Sequence, residues 1–301
     1  MDDILALLTR ANAREILAAF KLDRLGRLQP LADWLASFPA RRLSRQILRF
    51  DELVGQRGLA AAGRYILDEF TSSIRIEGQQ HVPLCGPVLV VANHPGMVDV
   101  MAICVALEHR RDLKIIAGER EILQLLPNMR SRLLLVTART GSRSGLLRDA
   151  TKHLRQGGAL LTFPAGTIEP DPSVRVVDRL AGWSDSSELF VRLVPETSVL
   201  PIVVSGVISK TAQQHRIAKC FADPKEREWA AATLQVLCRH LRDTQTCVVI
   251  GESISSGHSG RRAAIHAAMA SLLTRTKNRH DESLTTRAPK SSGAHYVGAA
   301  T

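Results

Sequence analysis

After Thr71 the chain alternates short β-branched runs with amphipathic helical patterns, each run bounded by Gly, Pro or Asn, and that alternation leaves few folds open. Parallel strands need a helix-length crossover between them. Strand and helix in strict succession therefore read as an α/β fold, a mostly parallel mixed sheet covered by helices. Strands are expected at 73–77, 88–92, 113–117, 133–137, 159–163, 199–204 and 247–251, with helices near 98–108, 120–126, 144–155, 187–194, 225–243 and 260–275. Ahead of them Ile4, Leu7, Leu8, Ile16, Leu17 and Phe20 recur at the three- and four-residue spacing of an amphipathic helix. Residues 1–70 thus read as a helical N-terminal region of three or four helices, broken at Gln29-Pro30, Phe38-Pro39 and Gly55. Residues 71–276 read as the α/β domain. From Lys277 the apolar pattern gives way to Ser, Thr, Gly and charge, so 277–301 is expected to be a disordered tail.

Composition narrows the partners. With 301 residues, 45% of them apolar, the chain can bury a sizeable core. Only 4% are aromatic, which argues against a reader of stacked bases, and no nucleic-acid partner is expected. A formal charge of +11 favours acidic partners such as anionic lipid or phosphorylated substrates. The five cysteines (Cys85, Cys104, Cys220, Cys238, Cys247) form no C-x-x-C pair, so a reduced cytoplasmic setting and no metal site are expected. The N-terminal twenty residues start acidic and carry Arg10, Arg14 and Glu15, unlike a signal peptide. The longest apolar run, GPVLVVAN, is far short of the roughly 20 residues of a membrane span. Membrane association is expected to be peripheral, on the inner face.

Chemistry concentrates where apolar strands run into turns. GPVLVVAN continues as Asn93-His94-Pro95-Gly96 and then a helix containing Asp99, and the carboxyl end of a strand is where open α/β sheets bind ligands. A carboxylate holding one imidazole nitrogen makes the other a base, so His94 and Asp99 are candidate catalytic residues. The same residues also suit a plain helix cap, and spacing alone leaves both readings open. A second strand runs into Phe163-Pro164-Ala165-Gly166-Thr167, a turn whose freed N–H groups suit an anionic oxygen. A third ends at Arg139 before a Gly/Ser loop with Arg143. Between Glu108 and Arg155 eleven Lys plus Arg face five acids, a basic stretch suited to an anionic substrate. No G-x-S-x-G, P-loop, G-x-G-x-x-G or H-E-x-x-H motif is present.

Taken in order, these segments resemble the glycerolipid acyltransferases typified by bacterial 1-acylglycerol-3-phosphate acyltransferases. NHPGMVD is similar to the family's N-H-x4-D block, VTARTGSRSG to its second, FPAGT to its third (F-P-E-G-T-R-S), and VLPIVVSG, with Pro201 in a buried strand, to its fourth. The resemblance spans Ile74 to Gly206 and implies His94 as general base oriented by Asp99. It further implies substrate contacts at Asn93, Arg139, Gly166 and Thr167, with backbone N–H groups near Gly166 receiving the oxyanion. No cofactor is implied beyond acyl-CoA or acyl carrier protein as co-substrate, and the partners are a lipid acceptor, an anionic membrane surface resting on helices with Arg42, Arg45 and Arg49, and the carrier protein. Ala165 and Ile168 stand where the third block has Glu and Arg. The catalytic pair is intact while the acceptor site is altered, so an active enzyme with a changed acceptor is expected. Glu169, four residues on from Ala165, is expected to be aimed away from that role. The main expectation is transfer to a lyso-phospholipid or glycerol phosphate. The alternatives are an acyltransferase for a non-phosphorylated lyso-lipid (aminolipid or glycolipid), or a non-catalytic binder of anionic lipid or nucleic acid.

Overall fold

The computed structural model describes residues 2–136, 142–175, 180–255 and 261–285. The N-terminal region is three helices, α1 (Asp2–Ala19), α2 (Gln29–Arg57) and α3 (Leu59–Phe70). The sheet comprises β1 (Ser73–Glu77), β2 (Val88–Ala92), β3 (Lys114–Gly118), β4 (Leu133–Val136), β5 (Ala159–Thr162), β6 (Ser198–Ser205) and β7 (Gln245–Ile250). Between them lie α4 (Asp99–Ala106), α5 (Glu121–Gln124), α6 (Pro127–Arg130), α7 (Ser142–Arg155), α8 (Ser186–Leu193), α9 (Lys210–Gln214), α10 (Arg216–Lys219) and α11 (Pro224–Leu237), and α12 (Arg261–Thr285) follows β7.

Strand order is β1-β7-β6-β2-β5-β3-β4. All pairs are parallel except β6 with β7, so the sheet is mixed as expected. Side chains alternate across it. Val88, Val90 and Ala92 of β2 enter one core with Leu161, Leu200, Ile202 and residues of α2, α3, α4 and α11, while Leu89 and Val91 enter the other with Leu154, Phe190 and Met269 from α7, α8 and α12. Because both faces are covered, β2 is apolar at every position rather than alternating.

Three boundaries differ from the sequence reading, each for a local reason. Pro39 lies inside α2 and does not end it. The carbonyl that Pro39 leaves without an N–H belongs to Leu35, on a face where that side chain is 55% exposed and water can take the bond. Gly55 is also interior: a Cβ there would stand 2.5 Å from the Asn128 side chain, so the glycine admits a neighbour instead of breaking the helix. The break falls at Gly58, whose φ of 86° belongs to the left-handed region. At the other end, α12 runs on to Thr285, so the expected tail is helical at least over 277–285; 286–301 lie outside the described residues. Short helices α9 and α10 had no counterpart in the periodicity.

The α1–α2 hairpin carries its own small core of Ala13, Ile16 and Leu17 against Ala36 and Ala40, and Asn12 donates to the Ser44 hydroxyl at 2.9 Å. Its tip and the first turns of α2 leave Leu28, Leu31, Trp34, Leu35 and Phe38 more than half exposed. The expected energetic contrast is large. Leu161→Ala, at a fully buried site in β5, should cost about 2–5 kcal/mol. Leu28→Ala, in the exposed patch, should stay within about 0.5 kcal/mol. Urea unfolding of the two variants beside the parent protein checks both values.

Candidate active site

The ends of β6, β2 and β5 point the same way and lie side by side, and the candidate residues sit there. As β2 leaves the sheet, the Asn93 carboxamide takes its place: Nδ2 donates to the Val204 carbonyl at 2.9 Å and Oδ1 accepts from the Val204 N–H at 2.8 Å. Asn93 is 3% exposed. Its role here is to fix the departure of the chain toward His94; the substrate contact expected from the resemblance would have to come from a buried side chain already bonded to β6.

His94 begins a turn in which Gly96 (φ 83°) and Met97 (φ 55°) are both left-handed. For Met97 that conformation costs of the order of 1–3 kcal/mol and persists only where the surroundings enforce it. The enforcing group is the Asp99 carboxylate, 1% exposed. Oδ2 accepts from His94 Nδ1 at 2.7 Å and from the Gly96 N–H at 2.8 Å, and Oδ1 accepts from the Val100 N–H at 2.6 Å. Asp99 also begins α4, where a negative charge suits the helix terminus. A carboxylate only accepts, so Nδ1 carries the proton and Nε2 keeps its lone pair. The imidazole stacks on Phe163, centroids 4.4 Å apart, and remains partly exposed.

The segment after Phe163 folds back over this turn, held by two acids that sequence reasoning either set aside or did not single out. Glu169 Oε2 accepts from the His94 N–H at 2.9 Å, its own N–H donates to the His94 carbonyl at 2.7 Å, and Oε1 accepts from the Trp183 indole at 3.0 Å. Glu169 is aimed at the His94 main chain, in keeping with the expectation that it does not replace the missing acid of the third block. Asp171, fully buried, accepts from the N–H groups of Ser173 and Gly206 on Oδ1 and of Val207 and Ile208 on Oδ2. Only the apolar strand end and the Pro/Gly turn before them signalled this segment; nothing local to Glu169 or Asp171 reveals their partners, which lie 75 and 35 residues away in sequence.

The remaining expected residues fare differently. Gly166 and Thr167 are exposed at the turn, and the Gly166 N–H donates to the Phe163 carbonyl at 3.0 Å, so of the N–H groups near Gly166 this one already has a partner. Arg139 lies outside the described residues, as does the rest of the 137–141 segment. Ile168 is 55% exposed on the wall of a cleft of about 490 Å³. Met97, Ile208, Trp229 and Val236 give that cleft its apolar walls, and Arg120, not distinguished in the sequence from its basic neighbours, lines it too. No group of three or more His, Cys, Asp or Glu among the described residues is arranged to hold a metal ion.

Burial disfavours a charged His94, but the Asp99 hydrogen bond and charge, with the charge of Glu169, outweigh it and raise the imidazole pKa above the ordinary 6.5. Cys104, buried beside Asp99, has its thiol pushed up to about 12, chiefly by desolvation, which removes it as a nucleophile. Below its pKa His94 is protonated on both nitrogens and cannot take a proton, so any base chemistry here rises with pH through a value above 6.5. Glu169→Gln should lower that value and Asp99→Asn should lower it further, read from His94 ring resonances in an NMR titration. An unchanged titration in both variants would show that neither carboxylate sets the base.

Residues 73–205 match the family model described as Acyltransferase. No curated protein matches the chain in sequence. The crystal structure of the 1-acyl-sn-glycerophosphate (LPA) acyltransferase PlsC from Thermotoga maritima aligns over 95% of this chain and 94% of its own, at 19% identity and a TM-score of 0.44. His94, Asp99 and the turn after Phe163 all lie inside the matched stretch, so these residues form part of an acyltransferase domain.

Proposed function

We propose that the protein moves a fatty acyl group from acyl-CoA or acyl carrier protein to a hydroxyl of a lyso-lipid, with His94 as general base and Asp99 as the carboxylate that orients it. The observation that carries this reading is the 2.7 Å bond from His94 Nδ1 to a buried Asp99 beside an apolar cleft. Nε2 takes the hydroxyl proton as that oxygen attacks the thioester carbonyl; the C–S bond then breaks and the thiolate leaves, taking the proton back from the imidazolium. No covalent acyl-enzyme is required, so holding both substrates in register supplies much of the acceleration. Arg120 lines the cleft, and its charge is felt at His94, which supports a role in holding an anionic group of the acceptor. It supplies a cation to a cleft that Ile168 leaves without the usual third-block arginine.

A lipid acceptor has to reach that cleft from a bilayer. No helix among the described residues is long and apolar enough to cross a membrane. The reading of a peripheral enzyme rests instead on the exposed apolar residues of the α1–α2 hairpin, among which Trp34 and Phe38 meet edge to face at 4.9 Å. Arg24, Arg27, Arg41, Arg42 and Arg45 surround or follow that patch, an apolar surface rimmed with cations that suits anionic lipid. Arg49 contributes less than expected, since it pairs with Glu52 at 2.6 Å. Glu15 of α1 lines the cleft, so the hairpin that carries the proposed membrane face also contributes to the cleft wall.

Two measurements test the reading. With palmitoyl-CoA and a panel of lyso-lipids, purified protein should release free thiol, and His94→Ala should reduce the rate by at least about 10³-fold while leaving the unfolding midpoint in place. Release that survives in His94→Ala would remove the mechanism. Trp34→Glu with Phe38→Glu should abolish pelleting with anionic vesicles; full pelleting by this double variant would place the membrane face elsewhere.

A further inference from the structure

Three of the eleven basic residues between Glu108 and Arg155, namely Arg110, Arg111 and Arg132, gather with Arg57 and Arg64 around a basin of about 870 Å³. It lies at the far end of the sheet from His94. Leu113 and Arg132 line it just before β3 and β4 begin, and both strands run the same way as β2, whose opposite end leads to the histidine. A five-residue strand such as β2 spans about 16 Å, so a small group held at His94 does not reach the basin.

The basin has one acid on its wall and a surplus of cations. That acid, Glu108, pairs with Arg64 and stands 3.9 Å from His109. Arg110 is buried and fully engaged: Asp112 accepts from Nε at 2.9 Å and from Nη2 at 2.7 Å, and the carbonyls of Pro83, Gly86 and Gly157 take its other donors. Arg57, Arg111 and Arg132 remain, and none of them has an acidic partner among the described residues. The first two are exposed with no hydrogen bond either, while Arg132 spends Nη1 on the Arg111 carbonyl at 3.1 Å.

Nearby backbone does not offset that charge. The last carbonyls of α4, at Ile103, Val105, Ala106 and Leu107, all accept from within the chain, so the negative end of this helix is capped. Across the basin Gly58 gives α3 no capping side chain, which leaves the N–H groups of Leu59, Ala60 and Ala61 without an acceptor and adds donors to those of the arginines. Leu107 and Leu113 supply an apolar floor. A concave space of this size, apolar below and with convergent charged groups above, has the build of a ligand site.

We propose that the basin is a second binding site, for a phosphate-bearing ligand whose anionic group lies among Arg57, Arg111 and Arg132 and whose less polar body rests on Leu107 and Leu113. Guanidinium groups arriving from separate segments suit the several oxygens of a phosphate. A nucleotide and a phospholipid headgroup share that chemistry. Arg57 ends α2, a helix of 29 residues whose first turns carry the exposed apolar patch, so about 40 Å of helix separates the basin from that patch.

The test is calorimetric titration of the full chain with three probes: sodium pyrophosphate, ADP and monomeric dihexanoyl phosphatidylglycerol. ADP or the short-chain lipid should bind at one saturable site that Arg57→Gln with Arg111→Gln weakens at least about tenfold, and the affinity should fall as salt rises. Binding of ADP with pyrophosphate competing identifies a soluble ligand, and binding of the lipid alone identifies a headgroup. Both replaced arginines are exposed and unpaired among the described residues, so the double variant should keep the parent's unfolding midpoint. Arg120→Gln in the cleft and Arg192→Gln on the exposed side of α8 should leave binding unchanged. No binding of any probe, binding that the double variant retains, or an equal loss in either control variant would overturn the site. Turnover is not read in this titration, so its outcome is independent of the acyl-transfer reading.

Discussion

The Asp99 carboxylate is the group on which the candidate site at the strand ends depends. It lies at 1% exposure with three donors on its two oxygens, and those donors come from three separate parts of the site, namely the imidazole, the left-handed turn and the first helical peptide after it. A buried charge without such partners is costly, so the turn and the helix cannot relax independently of the histidine. The strained φ of Met97 is thereby tied to the orientation of His94, and the geometry of the imidazole is set by backbone packing as much as by the pair itself.

The same logic recurs one layer out. Glu169 and Asp171 are two acids of one irregular segment, one gripping the His94 main chain and the other the backbone just beyond β6. Between them they join the ends of β2 and β6 through a stretch with no regular structure of its own. Asn93 makes a third connection between the same strands. A site at strand ends gains rigidity when each departing chain is pinned to its neighbour, and here every pin is a polar side chain bonded to backbone.

How legible this was depended on range. Strands in β2, β5 and β6 could be read because fully buried parallel strands are continuous apolar runs, and the His94–Asp99 pair because its partners are five residues apart. The N-terminal helix boundaries were misplaced since Pro39 and Gly55 act through solvent at one carbonyl and through Asn128, neither of which a periodicity contains. Glu169, Asp171 and Trp183 were opaque for a stronger reason: their meaning lies in contacts that exist only once the sheet has formed. The charge of Arg120 was visible but its address was not, because eleven basic residues share that stretch of chain and only the folded cleft singles one out.

The three tryptophans occupy three different environments: Trp34 on the exposed apolar face of α2, Trp183 buried with its indole on Glu169, and Trp229 on the wall of the cleft. Each is a native fluorophore at one working part of the protein. Replacing any two by phenylalanine leaves a single emitter that reports, respectively, on the surroundings of the exposed α2 face, on the clamp over the histidine, or on the wall of the cleft, so that changes in these three places can be followed separately by spectroscopy.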